Sequence, residues 1–183
     1  MKKILLVLCV LFSIQIQAQK ISLEFKSVID GKLKLTGGED SIFDIQKGIE
    51  LEANIDIYKL DNIQILIGSS FMTTGIPNHK DGGFRIFSGV VKVEGDFFSD
   101  IFQKNKLDIF LFLGFKPGLG LYINNDYDDV HISLGLDAGV KVQYEDFYLC
   151  FLNSNIKGIQ EPNQALVNNY NQSYLAISLG KDF

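Results

Sequence analysis

Residues Asp129–Tyr144 read DVHISLGLDAGVKVQY, sixteen positions in which apolar and polar side chains alternate. Every even-numbered position from Val130 to Tyr144 is apolar, whereas every odd-numbered position is polar or glycine. Alternation with a period of two places one class of side chain on each face of an extended strand. A soluble strand is usually about five or six residues long. Alternation over these sixteen positions therefore predicts a long sheet with one uniformly apolar face.

The same pattern recurs along the chain. In Gly48–Tyr58 one face carries Ile49, Leu51, Ala53, Ile55 and Ile57, and the other carries Glu50, Glu52, Asn54 and Asp56. Short and long links between the predicted strands alternate, as in outer-membrane barrels. The short links are 59–62 and 145–147, and the longer, polar links are 31–46, 73–82 and 159–171. The link at 95–106 is an exception, because it should be short and is long. The pattern predicts an all-β, antiparallel up-and-down transmembrane barrel with about eight strands, at 20–30, 47–60, 63–74, 83–96, 107–123, 129–144, 147–158 and 172–183.

Composition agrees with an apolar outer face and excludes one class of partner. The 183 residues are 46% hydrophobic and include 15 Phe, 7 Tyr and no Trp, which is a heavy load of large apolar rings. The formal net charge is −5, and Lys and Arg are not clustered in the sequence. Because a protein that neutralises phosphates along a nucleic acid needs a clustered basic surface, nucleic-acid binding is excluded.

The first segment has the pattern of a secretory signal. Lys2 and Lys3 precede an apolar run, Ile4–Phe12, and the small residue Ala18 follows a short polar stretch. The run is too short for a membrane-spanning helix, which needs about 20 apolar residues. We predict a signal peptide at 1–18 and a barrel domain at 19–183. That domain retains one cysteine, Cys150, so it forms no intrachain disulfide.

The C-terminal residues read SYLAISLGKDF from Ser173 to Phe183, an alternating strand that stops on an aromatic residue. A final strand that pairs with the first strand would close a barrel and leave no edge exposed to lipid. With the Met-Lys-Lys start and the Gln17-Ala18-Gln19 junction, the chain resembles the outer-membrane β-barrel domain family common in Bacteroidetes. The resemblance implies an outer-membrane location, contact with outer-membrane lipid, and a role for Phe183 as a signal for the barrel-insertion machinery.

Candidate catalytic and metal sites are weak. Asp129, His131 and Ser133 share a strand face, but alternate residues lie about 7 Å apart, too far for a direct hydrogen-bonded relay. Asn153-Ser154-Asn155 is similar to the Ser-Asn of the lipid A deacylase family, whose base histidine stands two positions before the serine, where this chain has Leu152. The oxygen-rich segment 124–129, interpreted as an external loop, lacks the ordered spacing of a calcium loop. We expect no catalytic residues, no metal and no cofactor.

Charges on the polar strand faces form the candidate site. In an eight-stranded barrel the interior is just wide enough for side chains, so we predict a paired network that plugs the lumen, with a narrow solute path as the alternative. Its predicted members are Glu50, Glu52, Asp56, Lys92, Glu94, Asp137 and Lys141.

The favoured function is a small, non-enzymatic outer-membrane barrel with an envelope-structural role or a role for its surface loops. The main rival is a soluble calycin-like barrel, in which Ile132, Leu134 and Leu136 would line an interior pocket for an apolar ligand. Small residues opposite them, such as Ser133 and Gly135, favour a cramped lumen over a solvated exterior. A lipid-modifying outer-membrane enzyme is the weaker alternative.

Overall fold

A computed structural model describes residues 20–36, 41–45, 47–75, 83–98, 107–124, 127–159 and 169–183. The predicted signal peptide at 1–18 and His79 lie outside the described residues. The described chain contains nine β-strands, all paired antiparallel. They are β1 (Ile21–Thr36), β2 (Ser41–Asp44), β3 (Gly48–Leu60), β4 (Ile63–Gly75), β5 (Gly83–Asp96), β6 (Leu107–Asn124), β7 (Tyr127–Tyr144), β8 (Phe147–Ile159) and β9 (Asn169–Asp182).

Eight of these strands form a closed barrel, and β2 is an addition to it. Neighbouring strands pair in chain order, and β9 returns to pair with β1 along its length. The other edge of β1 is shared, because Ile21–Ser27 pairs with β3 and Lys32–Leu35 pairs with β2. The predicted up-and-down barrel of about eight strands is confirmed. We call the end that carries Ile21 and Asp182 the terminal rim, and the opposite end the loop rim.

The strand register fixes the size of the barrel. Paired residues followed from Asp96 of β5 through β6–β9, then β1, β3 and β4, return to β5 at Ile86, ten residues away. Eight strands with this displacement tilt by about 40° and enclose a backbone radius of about 8 Å. Each residue then advances about 2.5 Å along the barrel axis. Inward side chains consequently fill the lumen.

The apolar strand faces point outward. On β7, Ile132 and Leu136 are 66% and 63% exposed, whereas His131, Ser133 and Asp137 are buried. Exposed apolar side chains are present on every strand of the barrel and form an apolar belt around it. At the terminal rim this belt includes exposed aromatic rings, among them Tyr144 and Phe147. Because Ile132, Leu134 and Leu136 face away from the interior, they do not line an interior pocket. The apolar pocket expected for a calycin-like barrel is therefore wrong. In the described part of the chain, no helix is long and apolar enough to cross a membrane.

Several predicted boundaries need correction. The predicted loop at 31–46 is wrong, because β1 continues to Thr36 and β2 pairs with it. The predicted loop at 124–129 is also wrong in part, because β6 reaches Asn124 and β7 begins at Tyr127. In both places backbone pairing with a neighbouring strand overrides turn-forming composition.

Pro117 lies at a break in the β5–β6 ladder, as its missing N–H predicts. Paired residues skip from Ser88 and Gly118 to Val91 and Phe115, and the register is the same on both sides of the gap. The β6–β7 ladder continues through Pro117 without interruption. The break is therefore local.

A bulge between Val28 and Asp30 of β1 exchanges the two faces of that strand. Before the bulge Glu24 and Lys26 point inward, whereas after it Leu33 is buried and its neighbours are exposed. One extra residue shifts a period-two pattern by one position, which moves every later side chain to the opposite face. The loop-rim half of β1 thus contributes apolar groups to the lumen and lysines to the exterior.

Candidate functional site: the barrel lumen

Glu52 of β3 is the centre of the buried polar interior. Its carboxylate contacts the ammonium groups of three lysines, each from a different strand. Lys26 of β1 forms the shortest contact, and the N···O distances are 2.5 Å to Lys92 of β5 and 3.1 Å to Lys116 of β6. All four residues are buried. The Glu52 carboxylate therefore links β3 to β1, β5 and β6 across the lumen.

Three further carboxylates complete this group. Glu24 lies 3.0 Å from Lys92, and both Glu50 and Asp137 lie 2.5 Å from Lys116. Isolated buried charges are strongly destabilising, so such groups require close partners. We define the central charge cluster by its seven members: Lys26, Lys92, Lys116, Glu24, Glu50, Glu52 and Asp137.

The central charge cluster contains four carboxylates and three lysines. Hydrogen bonds from neutral donors stabilise the excess negative charge. Each carboxylate accepts a hydrogen bond from an uncharged side chain, and such bonds stabilise an ionised oxygen more than a neutral one. The donor–acceptor pairs are Ser178–Glu24 at 2.6 Å, Ser154–Asp137 at 2.6 Å, Asn54–Glu52 at 2.7 Å and Tyr174–Glu50 at 3.5 Å. Asn54 is on β3, Ser154 is on β8, and Ser178 and Tyr174 are on β9. The neutral donors therefore add β8 and β9 to the strands that the ion pairs connect.

A smaller group lies nearer the terminal rim. The carboxylate of Glu94 lies 2.6 Å from the ammonium of Lys141 and accepts a 2.7 Å hydrogen bond from Gln64. Lys141 also lies over the ring of Tyr148, 4.6 Å from its centroid. Asp56 is half-buried beside a bulge in β3 and belongs to neither group.

The structure brings six of the seven predicted lumen charges into ion pairs. Glu50, Glu52, Lys92 and Asp137 enter the central charge cluster, and Glu94 pairs with Lys141. Sequence reasoning missed Glu24, Lys26 and Lys116. The signal was present for the first two, because they alternate with Leu23 and Phe25. Lys116 lies within the predicted strand 107–123, but it shares its face with Phe112 and Gly114, so no alternation of charged and apolar residues marks it.

The loop-rim half of the lumen is aromatic. The ring centroid of Phe84 on β5 lies 4.9 Å from that of Tyr122 on β6 and 4.5 Å from that of Tyr170 on β9. His131 of β7 packs edge-on against Tyr170 at 5.2 Å. A Cβ on Gly158 would overlap the Tyr170 ring, so this glycine lets the ring lie flat across β8. The four rings form an aromatic cluster above the charges.

Alternative chemistry finds no support among the described residues. Ser154, the serine of the deacylase-like triplet, is fully buried and donates to Asp137. His131 lies within the aromatic cluster, also buried. The side chains of 124–129 lie outside the described residues. Among the described side chains, no group of three or more His, Cys, Asp or Glu residues is arranged to hold a metal ion.

Phe183 lies at the junction that closes the barrel. Its backbone N–H donates to the carbonyl of Ile21 at 2.8 Å and its carbonyl accepts from the N–H of Ile21 at 3.3 Å. The ring is exposed, and the ammonium of Lys181 lies 4.8 Å from its centroid. Lys181, which interrupts the apolar face, thus extends along the aromatic rings of the terminal rim.

A closed barrel with an apolar exterior, a filled polar lumen and aromatic rings at one rim defines the fold of the small outer-membrane β-barrels. Solved structures agree. The chain superposes on Neisserial surface protein A with a TM-score of 0.57 at 11% identity, covering 89% of this chain and 97% of that one. It superposes on Ail, the attachment invasion locus protein of Yersinia pestis, with a TM-score of 0.51 at 13% identity, covering 90% and 97%. No protein-family profile and no curated protein sequence matches the chain.

Proposed function

We propose that this protein is a non-enzymatic outer-membrane barrel that spans the bilayer without conducting solutes. In this proposal it acts through its envelope contacts and its loop-rim surface. The observation that carries the proposal is the filled lumen, in which the central charge cluster and the aromatic cluster occupy successive levels. The exposed apolar belt needs lipid to cover it, because soluble monomers rarely expose such large continuous apolar surfaces.

The proposed orientation places the terminal rim in the periplasm. The β3–β4 turn at Asp61–Asn62 and the β7–β8 turn at Glu145–Asp146 lie at this rim, and short turns are typical of the periplasmic side. The signal peptide at 1–18, membership in the Bacteroidetes-type barrel family and recognition by the barrel-insertion machinery belong to the same proposal.

Cell fractionation tests the location. Detergent extraction should recover the protein with the outer membrane, and its gel mobility should change on heating because a folded barrel migrates differently from its unfolded chain. Recovery as a soluble periplasmic monomer would overturn the proposal.

Conductance tests the sealed lumen separately. We expect the protein, reconstituted in planar bilayers, to give no stepwise ion conductance under conditions in which an open porin does. Matched reconstitutions of Gly75→Ala, a substitution in open space at the end of β4, control for handling of the barrel. Regular unitary currents from the folded protein would contradict the proposal of a non-conducting lumen and support a narrow solute path.

A further inference from the structure

The outward face of β8 interrupts the apolar belt with two amides. Asn153 and Asn155 occupy successive outward positions on this strand, and Asn153 is exposed. Their cross-strand neighbours on β7, Ala138 and Leu136, are apolar. Among the described residues, neither side-chain amide has a hydrogen-bond partner. Because an amide that faces acyl chains without a partner is costly, these side chains need a partner from outside the barrel.

The depth of Asn153 excludes water and lipid headgroups as that partner. Asn153 follows the terminal-rim aromatic residue Phe147 by six residues along β8, which corresponds to about 15 Å along the barrel axis. The apolar band of an outer-membrane barrel is about 25 Å tall, so the amide lies near the middle of the band. Acyl chains at this depth offer no hydrogen-bonding groups. The partner is therefore a protein in the same bilayer.

A second copy of the chain supplies a matching group at the same depth. Two copies inserted in the same direction are related by a two-fold axis along the membrane normal, and a residue beside that axis meets its own copy at equal height. A side-chain amide both donates and accepts hydrogen bonds. Asn153 of one copy can therefore pair with Asn153 of the other, whereas a charged residue at this position would repel its own copy.

The surface around Asn153 fits such a contact. Across the sheet it is flanked by Ala138 on β7 and Leu175 on β9, and the small side chain of Ala138 lets a second barrel approach closely. Under the two-fold axis β7 of one copy faces β9 of the other. At the level of the amides, Leu136 of one copy then lies against Leu175 and Ile177 of the other. Apolar groups thus meet apolar groups on both sides of the amide pair.

The tilt of the strands keeps like charges apart in this arrangement. Lys157 follows Asn153 by four residues along β8, a distance of about 13 Å. Each β8 strand tilts by about 40°, and the two copies lean in opposite directions across the axis, so the two Lys157 Cα atoms lie about 17 Å apart. This separation exceeds the Debye length of about 8 Å at physiological ionic strength. The lysines therefore do not oppose the contact.

We infer that the protein forms a parallel, two-fold symmetric dimer through the outward face of β8, with Asn153 hydrogen-bonded to its own copy. The partner is thus a second copy of this chain. The inference rests on the proposed outer-membrane location.

Energy transfer between labelled copies in lipid vesicles measures the association. The dyes are attached at Asp146→Cys in the exposed β7–β8 turn, in a Cys9→Ser background, because the remaining Cys150 is buried. We expect transfer that falls as lipid dilutes the protein. Asn153→Leu should weaken association about tenfold, a loss within the range found for interchain amide hydrogen bonds in membranes.

Ser69→Leu is the matched control. Ser69 is an outward, exposed residue of β4, the strand opposite β8 in the barrel. It follows Ile63, the first residue of its strand, by six residues, as Asn153 follows Phe147. Its replacement should change association by less than about twofold. Urea unfolding at high lipid dilution should show no loss of stability for Asn153→Leu, since leucine suits a site that faces acyl chains.

Cross-linking in isolated outer membranes identifies the partner. Asn153→Cys, oxidised with copper phenanthroline, should give a disulfide-linked species of twice the monomer mass, whereas Ser69→Cys should remain monomeric.

Three results would overturn the inference: energy transfer no greater than random proximity when Asn153 is intact, equal losses of association in the two leucine variants, or cross-links from position 153 to a different protein alone. A failed fractionation experiment would remove the outer-membrane location, whereas transfer in vesicles reports on the β8 face of an inserted barrel. The two failures are thus distinguishable.

Discussion

Replacing Lys116 with methionine should destabilise the barrel more than any exposed charge substitution. The Lys116 ammonium lies 2.5 Å from Glu50, 2.5 Å from Asp137 and 3.1 Å from Glu52, and the side chain is buried. At an effective dielectric constant of about 20, one pair at 2.5 Å contributes about 6–7 kcal/mol before desolvation. Desolvation offsets much of this, and removing one partner of a buried pair costs about 3–5 kcal/mol. We expect a loss of about 4 kcal/mol in the free energy of unfolding.

The assay is urea unfolding in lipid vesicles, followed by the heat-dependent gel shift. Arg85→Met is the matched control, because Arg85 is exposed at the loop rim, and it should change stability by no more than about 0.5 kcal/mol. Adding Asp137→Asn to Lys116→Met should recover part of the loss, since it removes one of the carboxylates left without its closest cation. If Lys116→Met and Arg85→Met unfold within about 1 kcal/mol of each other, the central charge cluster does not stabilise the barrel as argued.

Three further predictions concern the closure and packing of the barrel. Gly158→Ala should lower stability by about 1–3 kcal/mol by urea unfolding, because its methyl group overlaps the Tyr170 ring; Gly75→Ala, in open space, should not, and equal effects would contradict the packing argument. Deleting Phe183 should reduce outer-membrane levels on immunoblots while export continues, and unchanged levels would show that the terminal aromatic is incidental. Shortening 160–168 should leave folding intact, because the strands that it joins remain paired; a variant without heat-shifted mobility would refute this.

The segment that can be shortened, 160–168, is smaller than the link that the sequence alone suggests. The interval 159–171 has the composition of a surface link, so its removal looks harmless. In the structure β9 begins at Asn169, and Tyr170 is buried in the aromatic cluster. Removing 159–171 would therefore remove the buried Tyr170 ring. Loss of a large aromatic side chain from a packed core lowers the free energy of unfolding by about 3–5 kcal/mol.

Much of the lumen was predictable because inward charges alternate with outward apolar residues within one strand. Glu50 and Glu52 follow this rule and lie where the pattern places them. Lys116 does not stand out in sequence, because a proline follows it and an apolar run precedes it. Its importance comes from partners on β3 and β7, and such distances depend on register across the barrel, which no local pattern contains.

Long strands with one apolar face could be predicted from the order of residues, since period-two alternation is a local property of each segment. Which face points outward is visible only in the closed barrel, because the pattern is unchanged when inside and outside are exchanged. Closure of β9 onto β1, with a displacement of ten residues around the barrel, sets the lumen radius and brings Lys26, Lys92 and Lys116 to one carboxylate. The bulge in β1 then turns its lysines outward, a consequence of one extra residue in a paired strand.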